Sequence, residues 1–385
     1  MTDARRPLFF GACAGMFVFG ITLAILGALF GLPQMRERIH ADLAQQGDIF
    51  LMLYLGIFVS TLIVGPIIDS FGNKIVLTSS AAFVVAGLLG FLVTRSFGGA
   101  MASAFVLGFG GGGLNTACNA LVADLYEENR GAMLNLLGVF FGFGALFIPL
   151  LAASIVGVLT ISQLLLIAAA LAAICTIAYL IMPFPRPKES TGFSIFASIR
   201  AAKYPMVLLF AALLFFESGN ESAIGGWTST YVGSVGGAPR AATWILAGYW
   251  AGLMLGRVIG ARILGRMRKE RLVFISGVGS AIGTAVLVAS PSLIVMGSGA
   301  VIVGLSFAAI YPTTLAIAAD RYQRLAGTIF GLLFAIGLVG GMIFPWIIGH
   351  LSEHYGLRTG MILPLIGAVM IAVLVSVISK QRGTQ

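Results

Sequence analysis

The sequence predicts an all-α membrane protein with twelve transmembrane helices in two pseudo-symmetric six-helix bundles. Three observations predict it. The 385 residues are 59% hydrophobic and 10% charged, against roughly 25% charged in soluble domains. Charged or loop-forming residues punctuate the chain at intervals of about 20 to 25 residues, the length a helix needs to cross hydrocarbon at ~1.5 Å rise per residue. One segment also repeats. NALVADLYEENRGAMLNLLGVFFGFGALFIPL from Asn119 lies over LAIAADRYQRLAGTIFGLLFAIGLVGGMIFPW from Leu315 at a constant offset of 196. That offset superposes Asp124 on Asp320, Tyr126 on Tyr322, Gly131 on Gly327, Gly144 on Gly340 and Pro149 on Pro345. Paired halves of this kind are the usual plan of secondary transporters.

The punctuation that delimits the spans falls at Arg5 and Arg6, 36–48, 69–74, Arg95, 124–130, 160–163, 183–203, Pro239 and Arg240, 262–271, Pro291, 320–324, 350–358 and Lys380. The first apolar span is too long for a signal-peptide core and has no clear small-residue cleavage site before a soluble domain, so it reads as the first helix of the mature protein. Residues 1–182 form the first bundle, 183–203 a cytoplasmic linker and 204–385 the second bundle. Prolines make the start of the linker semi-extended, and 194–202 suits a short amphipathic helix on the membrane surface.

A net charge of +9 would suggest nucleic acid in a soluble protein, but here the loops carry it. Seventeen of the 23 Lys and Arg fall on the side that holds both termini. We therefore expect an inner-membrane protein with both ends cytoplasmic and no nucleic-acid partner. Cys13, Cys118 and Cys175 all lie in apolar spans without metal-ligand spacing and read as small core residues. His40, His350 and His354 are expected in outward loops, on solvated surface.

The most informative feature is the seventh span, YPMVLLFAALLFFESGNESAIGGW. Between Lys203 and Arg240 its only charged residues are Glu217 and Glu221. A charge in hydrocarbon costs at least about 2.5 to 3.5 kcal/mol, so intramembrane acids face a cavity and bind a proton or cation. At i and i+4 the two carboxyls share a helix face and resist joint ionisation. Glu221 is the stronger candidate for proton coupling. For Glu217 the competing account is a buried pair with Arg257 of the eighth span.

Asn220 and the pair Gly225 and Gly226 interrupt the helical pattern beyond the acids. The glycines would let the outer part of the span bend as a gate, with Trp227 capping a cavity. The alternative puts Trp227 and Tyr231 in the interfacial aromatic belt. Asn115 and Asn119 share a face of the fourth span and suit a hydroxyl-rich ligand; interhelical hydrogen bonding competes with that reading. Asn135 is a candidate for the same face. Tyr311 aligns with Asn115 under the repeat and could supply an aromatic platform, with packing before Pro312 as the alternative. Trp244, Tyr249 and Trp250 are candidates for stacking on a pyranose ring, although most membrane aromatics face lipid. The run GFGGGG, 108–113, lacks the strand and the Lys-Ser/Thr of a phosphate loop and reads as close helix packing.

Between the second and third spans stands GPIIDSFGNK, 65–74, which resembles the GxxxDxxGxK/R loop of the major facilitator superfamily. Its counterpart GRVIGARILGR, from Gly256, keeps the glycines and basic residues but not the acid. This resemblance covers the whole chain and implies that superfamily's fold. Within it, NLLGVFFGFGALFIPLL from Asn135 and the Glu221–Tyr231 stretch ESAIGGWTSTY resemble the fucose:proton symporter and related sugar carriers. Those relatives often have His where this chain has Gly138. The fucose carrier also uses acids on its first and fourth spans. Here the first span has none, which moves the expected coupling site to the seventh.

The resemblance implies that Asp69, Gly72 and Lys74 form a conformational latch, with Gly72 making the tight turn. Asp124 with Arg130, and Asp320 with Arg324, read as related loop clamps. Arg257 either snorkels or pairs with an acid, a structural role.

The sequence reading is thus a secondary transporter of a small polar solute, most plausibly a monosaccharide, bound among the first, fourth, fifth, seventh, eighth and tenth spans. It would work as a monomer in the lipid bilayer, with a proton as coupling ion. Sodium, held by two carboxylates and Asn220, is the alternative ion. The competing functions are a proton-coupled exporter of amphipathic compounds or drugs, and a non-transporting membrane sensor. With no nucleotide motif, nucleophile–base pair or metal cluster in the pattern, neither a pump nor an enzyme is expected, and no cofactor or metal.

Overall fold

A computed structural model describes residues 2–155, 160–185, 204–263, 266–322 and 326–381. Among the described residues, twelve helical spans are long and apolar enough to cross a bilayer, and no strand occurs. The chain divides into two compact units, Met1–Phe193 and Ser194–Gln385. The linker lies almost wholly outside the described residues, and the surface helix expected at 194–202 entirely so.

The first unit contains α1 (Thr2–Phe30), α2 (Pro33–Ile39), α3 (Leu43–Phe71), α4 (Asn73–Val93), α5 (Phe97–Leu125), α6 (Arg130–Ile155) and α7 (Ile161–Ile181). The second contains α8 (Pro205–Ser234), α9 (Pro239–Ile263), α10 (Lys269–Ala289), α11 (Leu293–Phe307), α12 (Ile310–Arg321), α13 (Ala326–Tyr355), α14 (Leu357–Gly360) and α15 (Ile362–Lys380). Local chemistry sets the ends. Asp42 and Thr160 start α3 and α7 with capping boxes closed by Gln45 and Gln163, satisfying amides that the first turn leaves free. Pro33 and Pro205 open α2 and α8, where a missing N–H costs nothing. A single residue, Gly72 at φ 83° and ψ 167°, turns α3 into α4, in a region open essentially to glycine alone.

Two sequence expectations need correction. His350 and His354 are not in a loop, because α13 continues through Tyr355 and Gly356, at φ 81°, supplies the stop. His350 sits 4.5 Å from the Trp346 ring, one turn back on the same helix. Nor does α8 break at Gly225 and Gly226. It is continuous for 30 residues, and Gly225 leaves room for Trp250, whose ring would lie 2.9 Å from an added Cβ.

The duplication is visible in packing. α1 packs on α6 as α8 does on α13, α3 on α5 as α9 on α11, and α4 on α7 as α10 on α15. The closest approaches repeat at the same offset. A Cβ on Gly108 would strike the Leu53 carbonyl, and one on Gly304 the Tyr249 carbonyl. Gly56 meets the backbone of Phe105 and Phe109, and Gly252 that of Val301 and Leu305. Each pair differs by 196. Backbones this close exclude any side chain, as small-residue seams between membrane helices do.

Gly304→Ala is therefore expected to destabilise, by about 1–3 kcal/mol for forced overpacking. Gly98→Ala, with nothing near its Cβ, should be neutral or stabilising by up to about 1 kcal/mol. Melting of the two variants in detergent checks this reversal of sign.

Candidate functional site

The acids of α8 sit where the second unit is least regular. The tenth span is two helices, α11 ending at Phe307 and α12 starting at Ile310, with a turn at Ala308 and Ala309. Pro312 has no N–H to give the Ala308 carbonyl, which opens the ladder there. α9 presses against the break. A Cβ on Gly256 would lie 2.7 Å from the Ala308 Cβ, and one on Gly260 3.1 Å from that of Ala309. That contact carries Arg257, the residue after Gly256, to the same level.

Glu217 is 1% exposed and accepts a hydrogen bond from the Ser218 hydroxyl at 3.1 Å. Glu221, one turn on, is partly exposed. The Arg257 guanidinium lies within electrostatic reach of both carboxyls, and so does the Tyr311 phenol, one residue into α12. Two carboxylates and one guanidinium carry a net charge of −1, so one bound proton would make the group neutral. Such a group can take up and release a proton, and its phenol and acids can hydrogen-bond a hydroxylated ligand. Ser218 carries no signal in the sequence, whereas a pair of Arg257 with Glu217 stands there as the competing, structural account of that acid. The signal for the break was Pro312 beside Tyr311.

Other candidates are placed elsewhere. Trp227 is not available for stacking: it is 0% exposed and its Nε1 donates to the Pro345 carbonyl at 3.1 Å. The Tyr231 hydroxyl donates to the Val288 carbonyl at 2.8 Å, so both rings bolt α8 to neighbouring helices. Asn220 is buried without a hydrogen-bond partner for either amide atom, and its side chain lies against Gly367 of α15. It is therefore turned away from the role expected beside the acids. Tyr249 and Trp250 are buried, rings 5.1 Å apart, in the core of the second unit. Trp244 is exposed on its surface.

In the first unit the Asn119 amide donates to the Asn115 carbonyl at 2.8 Å and to its Oδ1 at 3.0 Å, beside Met16 of α1. The two amides thus form one polar patch. Asn135 is exposed near the start of α6 and is not joined to them by any hydrogen bond described here. Cys13, Cys118 and Cys175 are free and buried. Gly15 lies against both Cys118 and Tyr179, and the Tyr179 hydroxyl donates to the Gly11 carbonyl at 2.8 Å.

Among the latch residues, Asp69 is half-buried at the end of α3, and Lys74, Asp124 and Arg130 are exposed. Arg324, the partner expected for Asp320 in a loop clamp, lies outside the described residues; Asp320 pairs with Lys269 at 2.6 Å. Both partners are well exposed, so Asp320→Asn should cost no more than about 1 kcal/mol. Melting measured with and without added salt checks this; a larger loss would mean that the pair does more than screen-exposed charges can.

The sequence matches the profile of the Major Facilitator Superfamily over residues 12–238 and again over 209–384. It is 23% identical to the glucose/mannose transporter GlcP of Bacillus subtilis (strain 168) over 392 aligned positions, covering 97% of this chain and 94% of the relative. The fold is similar to that of a D-xylose-proton symporter, with a TM-score of 0.80 at 12% identity and 97% of each chain covered. It is also similar to the fucose:proton symporter FucP of E. coli, with a TM-score of 0.65 at 18% identity, covering 97% of this chain and 98% of that one.

Proposed function

This chain belongs to the Major Facilitator Superfamily, a multi-pass membrane transporter and not an enzyme, and from that premise we propose that it moves a monosaccharide by alternating access in symport with a proton. The observation that carries the proposal is the group of Glu217, Glu221, Arg257 and Tyr311 at the broken tenth span. Discontinuous helices are where secondary transporters bind substrate and coupling ion. A net charge that one proton cancels suits coupling, and hydroxyl-binding groups suit a sugar. The resemblance along nearly the whole chain to a glucose/mannose transporter supports the same substrate class. With Asn220 turned to α15, the oxygen set proposed for sodium shrinks to the two carboxylates, which favours the proton. The protein is proposed to act as a monomer in an inner membrane, both termini cytoplasmic, on the distribution of Lys and Arg.

The test is uptake of a panel of labelled monosaccharides into proteoliposomes under an imposed pH gradient without sodium. Accumulation of one sugar above its external concentration supports the proposal. Absence of sugar movement, together with extrusion of a cationic dye under the reversed gradient, would replace it with the drug-exporter reading. No movement of any solute would leave the sensor.

A further inference from the structure

We propose that the groove between α10 and α15 binds one anionic phospholipid, its acyl chain along the groove and its phosphate between Arg271 and Lys380. The groove has a volume of about 480 Å³ and is lined by Phe274, Val278 and Ile282 from α10 and by Val369 and Val373 from α15, with Lys380 at one end. All five apolar side chains are exposed, between 37% and 55%. Exposed apolar residues are ordinary on a surface that meets lipid, and cations are ordinary at its cytoplasmic edge; here the apolar surface is concave and Lys380 lines one end of it.

The register puts the charges together. A Cβ on Gly277 would lie 3.1 Å from the Ala372 nitrogen, which fixes where the two helices cross. From that crossing, six residues back lead to Arg271 and eight forward to Lys380, about 9 and 12 Å toward the same membrane face. Arg271, Phe274, Val278 and Ile282 follow one another by three or four residues and so share a face of α10. Both cations are exposed. Arg266 and Arg268 are exposed at the same end, whereas Lys269 is already paired with Asp320 and Glu270 points into the protein. Among the described residues, Arg271, Lys380, Arg266 and Arg268 outnumber the acids at this mouth, where Asp320 is matched by Lys269, and that excess selects a phosphate-bearing headgroup of net negative charge over a zwitterion.

The length fits as well. From Arg271 to Ile282 the helix rises about 16 Å at ~1.5 Å per residue, close to half of the ~30 Å hydrocarbon core. The groove therefore spans one leaflet, the depth an acyl chain occupies when its phosphate stays at the surface.

Native mass spectrometry of the purified protein, titrated with phosphatidylglycerol or phosphatidylcholine of matched chains, tests this. Wild type should retain one phosphatidylglycerol in preference to phosphatidylcholine. The double variant Arg271→Ala, Lys380→Ala should lose about thirtyfold in apparent affinity, at roughly fivefold for each basic residue near the surface. Ala281→Leu, which narrows the groove and leaves the cations, should weaken both lipids, and Arg95→Ala should change neither. Equal retention of the two lipids, unchanged phosphatidylglycerol binding in the double variant, or a protein dimer that Ala281→Leu dissociates would each overturn the proposal.

Discussion

Glu221→Gln is expected to abolish gradient-driven sugar accumulation while leaving exchange of sugar across the membrane at zero gradient. Glutamine is nearly isosteric with the protonated acid and keeps its hydrogen-bonding capacity, so the site can still close around substrate. What it loses is the change of charge that ties a proton to each cycle. The magnitude is set by the driving force. One charge moving through 100 mV is worth about 2.3 kcal/mol, and each 1.36 kcal/mol is a factor of ten, so one coupled proton supports about fiftyfold accumulation per 100 mV. The variant should stop near equality. Glu221 is chosen over Glu217 because it is partly exposed and so can meet a proton from water, whereas Glu217 is 1% exposed and held by Ser218. Glu217→Gln should reduce transport through weaker substrate binding, seen as a raised KM, with accumulation retained. If Glu217→Gln uncouples and Glu221→Gln does not, the coupling role passes to Glu217.

Much of this architecture can be read in the sequence because hydrocarbon imposes it. A chain that cannot expose its backbone to lipid must cross as helices, and the spacing of charges then counts them. The repeat was legible for a related reason. Gly144 and Gly340 each lie against a backbone carbonyl of a facing helix, Phe17 in one unit and Phe215 in the other, so neither copy of the duplication tolerates a larger residue. What was not legible depends on partners far away in the chain. Gly225 looks like a helix breaker until Trp250 occupies the space beside it. Trp227 looks like a ligand platform until the Pro345 carbonyl claims its N–H. Asp320 has arginines near it in sequence, and nothing local points to Lys269, which it meets across a helix pair. Arg257 leaves two readings open in sequence, snorkelling at a helix end or pairing with Glu217, and it takes the glycines flanking it, pressed on the broken tenth span, to favour the second.

Arg257→Gln is therefore the second large effect, and its value lies in the cycle it closes. Removing the guanidinium leaves two carboxyls with no opposing charge at the break, and stranding one partner of a buried ionic group costs about 3–5 kcal/mol. The cost is lower where water enters, as the partial exposure of Glu221 and Arg257 indicates. The variant should melt lower and transport poorly. Combining it with Glu217→Gln removes a charge of each sign, so the double variant should be more stable than Arg257→Gln alone. Residues that share one network couple by about 0.5–3 kcal/mol in such a cycle, whereas distant ones add within about 0.3–0.5 kcal/mol. The same cycle run with Glu221→Gln measures how the guanidinium divides between the acids. A stronger coupling to Glu217 would make Arg257 the resident counter-ion of the buried acid and leave Glu221 free to exchange its proton. Equal couplings would make the three groups one titrating unit, in which neither carboxyl owns the proton. Additive effects at both positions would separate Arg257 from the site and return it to the helix end as a snorkelling residue.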